Sequence, residues 1–183
     1  MSTNITNNRS GYGLLPIALH WLTLLLLIAV YATMEFKGVY PKDSPGRENI
    51  MAWHYMLGLT VFGLTFLRLA ARLGGETPVI VPAPPVWQDK LANIVQFLLY
   101  VLLIGLPILG WLTLSAKGEP IPFFGIELPS LLSPDKNLAK QIKDVHETIA
   151  TIGYGIIGLH AVAALYHHYL LRDNTMRLML PRR

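Results

Sequence analysis

The chain has six histidines and no cysteine. Four of the histidines, His20, His54, His146 and His160, lie inside or at the edge of long apolar stretches. An imidazole there is costly unless it has a partner or a task. His146 and His160 stand fourteen residues apart in one such stretch. On a helix that spacing is almost four full turns, so both side chains project within about 40° of each other, about 21 Å apart along the axis. Neutral imidazole is a metal ligand, a hydrogen-bonding group and a proton carrier. Two of them on one face at two depths call for partners on other elements. The absence of cysteine excludes disulfides, thiolate-held iron–sulfur clusters and covalent c-type haem.

The elements that must supply those partners are apolar. Of the 183 residues, 52% are hydrophobic and 14% are charged. A soluble domain carries about 25% charge. Four runs without charge, Ser10–Met34, Asn49–Leu67, Leu91–Ala116 and Thr148–Leu171, each approach or exceed the ~20 residues that cross a bilayer as a helix. Strand-like alternation is absent from them, so helices are the remaining spanning structure. The expected fold is an all-α membrane four-helix bundle, a single domain over residues 1–183, with spans of roughly 12–35, 50–72, 91–116 and 142–171. The first run is too long for the core of a signal peptide and no small-residue cleavage site follows it, so it reads as a retained span.

Pro-rich connections separate the spans. The segment from Gly74 to Lys90 reads as an extended strap on the membrane surface. The loop from Lys117 to Asp144 is expected to turn helical from about Pro134. An even number of spans puts both termini on one side. Arg9, Arg68, Arg72, Lys90, Arg172, Arg177, Arg182 and Arg183 share that side with only Glu76, Asp89 and Asp173, while the other side carries eight acids against seven bases; the net balance, rather than the basic count alone, makes the terminal side read as cytoplasmic. The formal charge of +4 is spread over segment ends without an aromatic-interleaved basic patch. It suits anionic headgroups or a small anion better than nucleic acid.

Depth now pairs the histidines. With the termini inside, His20 lies about 22 Å below the outer boundary and His54 lies near it. His146 is near the same boundary, with His160 about 21 Å deeper. The pairs are therefore His54 with His146, and His20 with His160. Two facing imidazoles at each of two levels fit two bis-histidine b haems, since low-spin haem iron takes one axial nitrogen from each side. Full axial ligation favours electron transfer over oxygen binding. Zinc or copper would need clustered ligands, which the axial separation forbids. Gly58 and Gly153 are expected to let a flat macrocycle approach the backbone. Arg68 and Arg72, one turn apart, read as contacts to a haem propionate or a quinone, or as residues snorkelling to headgroups. His167 and His168 read as a propionate or quinone contact or as interfacial side chains. Glu35 could accept a hydrogen bond near the outer haem. Pro107 is expected to kink the third span.

The fragments "LHWL" around His20, "YATMEFKGVYP", "FLRLAARL", "LPILG", "VHETIATIGYGIIGLHAVAALYHHY" and "RDNTMRLMLPRR", in this order and at these spacings, resemble the bacterial four-helix cytochrome b561 family. The likeness covers almost the whole chain and reaches the superoxide-oxidising members of the family. It implies two non-covalent b haems in the bacterial inner membrane, with His20, His54, His146 and His160 as axial ligands. It also implies superoxide as donor at the periplasmic face and ubiquinone as acceptor, hence a superoxide:quinone oxidoreductase. Lys136, Lys140 and Lys143 fall on one face if helical and precede His146, so they are expected to steer a small anion. The competing reading is a non-catalytic cytochrome b subunit that anchors a dehydrogenase or hydrogenase.

Overall fold

The computed structural model describes Arg9 and residues 11–180. Ser10, Arg182 and Arg183, which entered the reading above, lie outside the described residues. Four long helices carry the fold. Helix α1 spans Leu14–Phe36 and ends in a 3₁₀ turn at Lys37–Val39. Helix α2 spans Pro45–Leu73, α3 spans Val86–Lys117 and α4 spans Lys136–Tyr166. A π turn over His167–Leu171 extends α4, and a short α5, Thr175–Leu178, follows. Each long helix is long and apolar enough to cross a membrane. Few of their large apolar side chains are fully buried, as expected of helices whose outer faces meet lipid tails.

Local chemistry sets the helix ends. Ser44 caps α2, its hydroxyl accepting from the Arg47 amide at 3.3 Å, with Pro45 at the first helical position. Asp135 caps α4, one carboxylate oxygen accepting from the Asn137 and Leu138 amides at 2.9 and 3.0 Å. These caps start α2 and α4 several residues before their charge-free runs. Helix α3 stops at Gly118, which adopts φ 71°. The Glu119 amide there reaches back to the Leu114 carbonyl at 3.1 Å, satisfying a carbonyl the helix end would otherwise orphan. The helix is continuous through Pro107. Buried threonines occupy the apolar helices at little cost, because each hydroxyl donates to the carbonyl four residues earlier: Thr23 to Leu19 and Thr65 to Val61, both at 2.7 Å.

The loop between α3 and α4 holds a hairpin that the sequence reading did not anticipate. Strand β1, Ile121–Phe123, pairs antiparallel with β2, Ile126–Leu128. Its two turn residues, Phe124 and Gly125, both have positive φ, the backbone of a tight hairpin turn. Three-residue strands, the first with a proline at its centre, are too short for alternation to announce them. Ile121 is buried against Leu59 and Leu114, so the hairpin caps α2 and α3 at the end opposite the termini.

In the bundle α1 packs on α2, α2 on α3 and α3 on α4. Side chains bridge the α1–α4 seam. The Tyr31 hydroxyl donates to the Ala150 carbonyl at 3.0 Å, and the Tyr154 hydroxyl donates to Glu35 at 2.6 Å. Gly153 lies under this seam. A Cβ there would collide with the Tyr31 hydroxyl and would stand 2.7 Å from Leu102 Cδ1. The expectation that Gly153 opens space for a macrocycle is therefore corrected: protein side chains already fill that space. We predict that Gly153→Ala destabilises the bundle by about 1–3 kcal/mol, the range for overpacking, read as a lower thermal midpoint. An unchanged midpoint would mean that the seam yields to a methyl group.

Candidate haem sites

The His54 and His146 rings, on α2 and α4, have centroids 6.3 Å apart with planes at 71°. The His20 and His160 rings, on α1 and α4, have centroids 6.2 Å apart with planes at 59°. With metal–imidazole nitrogen bonds of about 2.0–2.1 Å and each centroid about 1 Å behind its nitrogen, two axial imidazoles have centroids about 6 Å apart. Both pairs match that separation. Among the described residues, no three side chains of His, Cys, Asp or Glu converge on one point, as a closed zinc site would require.

The outer pair borders a cavity of about 490 Å³ at the hairpin end. Gly58 and Gly110 line it. Nothing lies within 4 Å of where a Gly58 Cβ would be, so this glycine leaves a notch in the wall that any side chain would fill. Gly110 lets the His146 ring lie close to α3, with His146 Cε1 3.6 Å from the position of an added Cβ. His54 Nδ1 faces the Val30 carbonyl at 3.2 Å and the Thr33 hydroxyl at 3.1 Å. His146 Nδ1 is buried without a hydrogen bond, although the Leu106 backbone lies near it. A notched apolar cavity with an imidazole on each side fits a b haem. Glu35 lines the same cavity and accepts from Tyr154.

Beside this cavity opens a second one, of about 320 Å³, lined by Lys117, Lys136, Lys140 and Lys143 with Glu119 and Ala139. The three lysines of the α4 stripe thus share one cleft. Lys117, at the end of α3, joins them. The sequence reading missed it because it closes a different helix. Lys117 and Lys143 line both cavities. Lys140 pairs with Asp144 and Lys143 with Glu147, both at 2.9 Å, and Lys117 with Glu119 at 3.5 Å.

At the opposite end, Arg68 Nη2 lies 3.2 Å from His20 Nδ1. Trp21 packs edge-on against His20, its indole N–H donating to the Met179 carbonyl at 2.8 Å. His167 Nδ1 lies 2.5 Å from Asp173 Oδ2. Asp173 was not singled out from sequence, because the π turn at 167–171 is what folds it back. The residue is 3% exposed. Burial pushes its carboxyl up, but hydrogen bonds from His167 and from the Thr175 amide outweigh it and hold it below the usual range. An ionised carboxylate only accepts, so His167 Nδ1 is the protonated nitrogen and Nε2 is left to act. His168 Nδ1 is buried without a partner. Arg72, in the last turn of α2, lies near Tyr12.

The family model described as prokaryotic cytochrome b561 matches residues 11–182. The chain belongs to this family. Membership in cytochrome b561 makes it a membrane electron-transfer protein with oxidoreductase function and implies haem b as its cofactor. It is similar to cytochrome b561 homolog 1 of Escherichia coli (strain K12), 41% identical over 167 residues that cover 91% of this chain and 95% of the relative. It is 36% identical over 173 residues to the protein named "Probable superoxide oxidase CybB" of Yersinia pestis, covering 94% and 97% of the two chains. Cytochrome b562 of Cereibacter sphaeroides is 29% identical over 177 residues, covering 94% and 97%.

Proposed function

We propose that this cytochrome b561 oxidises superoxide at the periplasmic face of the inner membrane and reduces ubiquinone, using two bis-histidine b haems. In this reading His54 and His146 hold the outer haem, His20 and His160 hold the inner one, and both termini are cytoplasmic. The reading accounts for two superoxide anions, one quinone and two protons giving two dioxygen molecules and one quinol. Bound haem supplies reversible one-electron chemistry with no open coordination site. The protein supplies the rest. The lysine cleft attracts a small anion to the outer cavity, and Lys117 and Lys143 stand where the two cavities adjoin. At the cytoplasmic end, Arg68 and Arg72 are suited to a propionate or a quinone carbonyl. Asp173 orients His167, whose Nε2 faces the same task of binding or protonating a quinone head, with His168 beside it.

The observation that carries this reading is the cleft of four lysines directly adjoining the cavity of His54 and His146. An electron-transfer subunit docked to a protein donor has no need of a concentrated small-anion entrance. The decisive experiment mixes superoxide rapidly with the purified oxidised protein in detergent. We expect haem reduction on the millisecond scale, reversed by added short-chain ubiquinone. Haems that stay oxidised under superoxide, in a preparation that carries a stoichiometric redox partner, would replace this reading with the subunit one.

A further inference from the structure

The chain beyond α4 does not trail away from the bundle; it is tied back to all four long helices. The Asp173 carboxylate holds His167 at the end of α4. The Trp21 indole, on α1, donates to the Met179 carbonyl at 2.8 Å. Asn174 bonds three times to the strap that joins α2 to α3. Its amide donates to the Val81 carbonyl at 3.1 Å, its side-chain oxygen accepts from the Val81 amide at 2.7 Å, and its side-chain nitrogen donates to the Val79 carbonyl at 3.1 Å. The Val79 amide donates in turn to the Arg9 carbonyl, ahead of α1, at 3.1 Å.

These bonds draw the segment before α1, the strap and the C-terminal tail into one layer across the end of the bundle that carries both termini. The strap has an inside and an outside. Pro78 is buried and Ile80 half-buried, whereas Val79 and Val81 are exposed, the alternation of an extended segment with one face covered. Gly11, Gly13 and Asp173 are buried as well. Beneath the layer stands the inner histidine pair. His20 lies six residues into α1 from Leu14, about 9 Å along the axis, and its neighbour Trp21 holds the tail. Among the described residues, the hydrogen bonds that cross the α1–α4 seam, Tyr31 to Ala150 and Tyr154 to Glu35, lie toward the outer pair. The inner half of the seam carries no such bridge.

We propose that this layer, pinned by Asn174, is a seal that selects the electron acceptor. An acceptor dissolved in the bilayer reaches the inner haem through the flank of the bundle, and a water-soluble oxidant is kept out at the end. The inference rests on the two-haem reading above. Outer-sphere transfer needs close approach, and the layer occupies the approach from the aqueous side. Each transfer oxidises one iron by one electron and reduces the acceptor by one. Asn174 is a positioning residue here, since it acts only through the strap and the tail.

The test uses full-length protein carrying its haems in quinone-free liposomes, with those presenting the termini outward captured by an N-terminal tag. Flavin mononucleotide and EDTA trapped inside reduce the haems under light. Ferricyanide, which does not cross the bilayer, is then added outside in the dark, and haem reoxidation is followed by absorbance. A parallel sample holds short-chain ubiquinone in the membrane instead. A further readout needs no haem. The chain has no cysteine, so Met179→Cys, which keeps the carbonyl that Trp21 holds, reports tail opening by its rate of alkylation with an impermeant maleimide. Asn174→Ala deletes two hydrogen bonds of the layer. We expect it to raise both alkylation and reoxidation by ferricyanide about tenfold or more. Reoxidation by ubiquinone should stay within twofold, because Asp173 keeps its own bond to His167. Two haems retained per chain check the fold of the variant. Wild type reoxidised by ferricyanide as fast as Asn174→Ala would overturn the seal, and so would alkylation that rises while the ferricyanide rate stays flat. Unchanged alkylation would remove Asn174 as the pin. A ubiquinone rate that climbs with the ferricyanide rate would show one shared entrance and overturn the selection. One haem per wild-type chain would instead remove the two-haem reading, and the alkylation result would stand apart from it.

Discussion

Replacing His54 or His146 with alanine is expected to cut the haem count from two per chain to about one and to abolish reduction by superoxide. Replacing His20 or His160 should also leave about one haem, but a different one. The outer haem would then still be reduced by superoxide once, and turnover with quinone would fall to background. The distinction follows from position. His54 and His146 border the cavity that adjoins the lysine cleft, whereas His20 and His160 lie toward Arg68 and Trp21. Low-spin haem needs both axial nitrogens, so losing either one of a pair should empty the site or leave it high-spin. Thr33→Val removes only one of the two oxygens that face His54 Nδ1. We expect it to weaken outer haem binding by about 10-fold, the low end for groups that orient a ligand. A reduced-minus-oxidised spectrum with a haem count on each variant decides the matter. Loss of both haems from one replacement, or of neither, would defeat the pairing.

The closeness of these rings could be read from sequence because helices convert residue number into depth at a fixed rise. His20, fifteen residues before Glu35, and His160, fourteen after His146, come to one level by counting alone. Apolar segments made the counting safe, since a buried imidazole is seldom incidental in them. What the count missed was made by irregular backbone. Asp173 meets His167 only because α4 ends in a π turn and Arg172 takes φ 54°. Lys117 meets the α4 lysines because Gly118 ends α3 beside the start of α4, where the Asp135 amide donates to the Ala116 carbonyl at 2.7 Å. Gly153 was placed on the correct face, yet its bare surface receives Tyr31 and Leu102. A glycine in sequence announces a close approach without naming what approaches.

Neutralising the lysine cleft should give the second large effect. We expect the variant with Lys117, Lys136, Lys140 and Lys143 all changed to Gln to lose about 10-fold or more in the second-order rate of superoxide-driven haem reduction at low salt, within the range for electrostatic steering. The four need not contribute equally. Asp144, Glu147 and Glu119 offset three of the lysines at 2.9–3.5 Å. Their neighbours in the cleft still add to one field, because a charge pair cancels poorly for an anion that approaches its positive end. Removing those partners, as in Asp144→Asn with Glu147→Gln, should therefore raise the rate. Added salt should shrink both changes, since the screening length is about 10 Å at 0.1 M ionic strength. Reduction by an uncharged donor should be the same in all variants, because none of these lysines is proposed to hold a haem. A rate that stays flat at low salt in the fourfold variant would show that the cleft is only a solvated surface. The anion would then reach the cavity of His54 and His146 by diffusion alone.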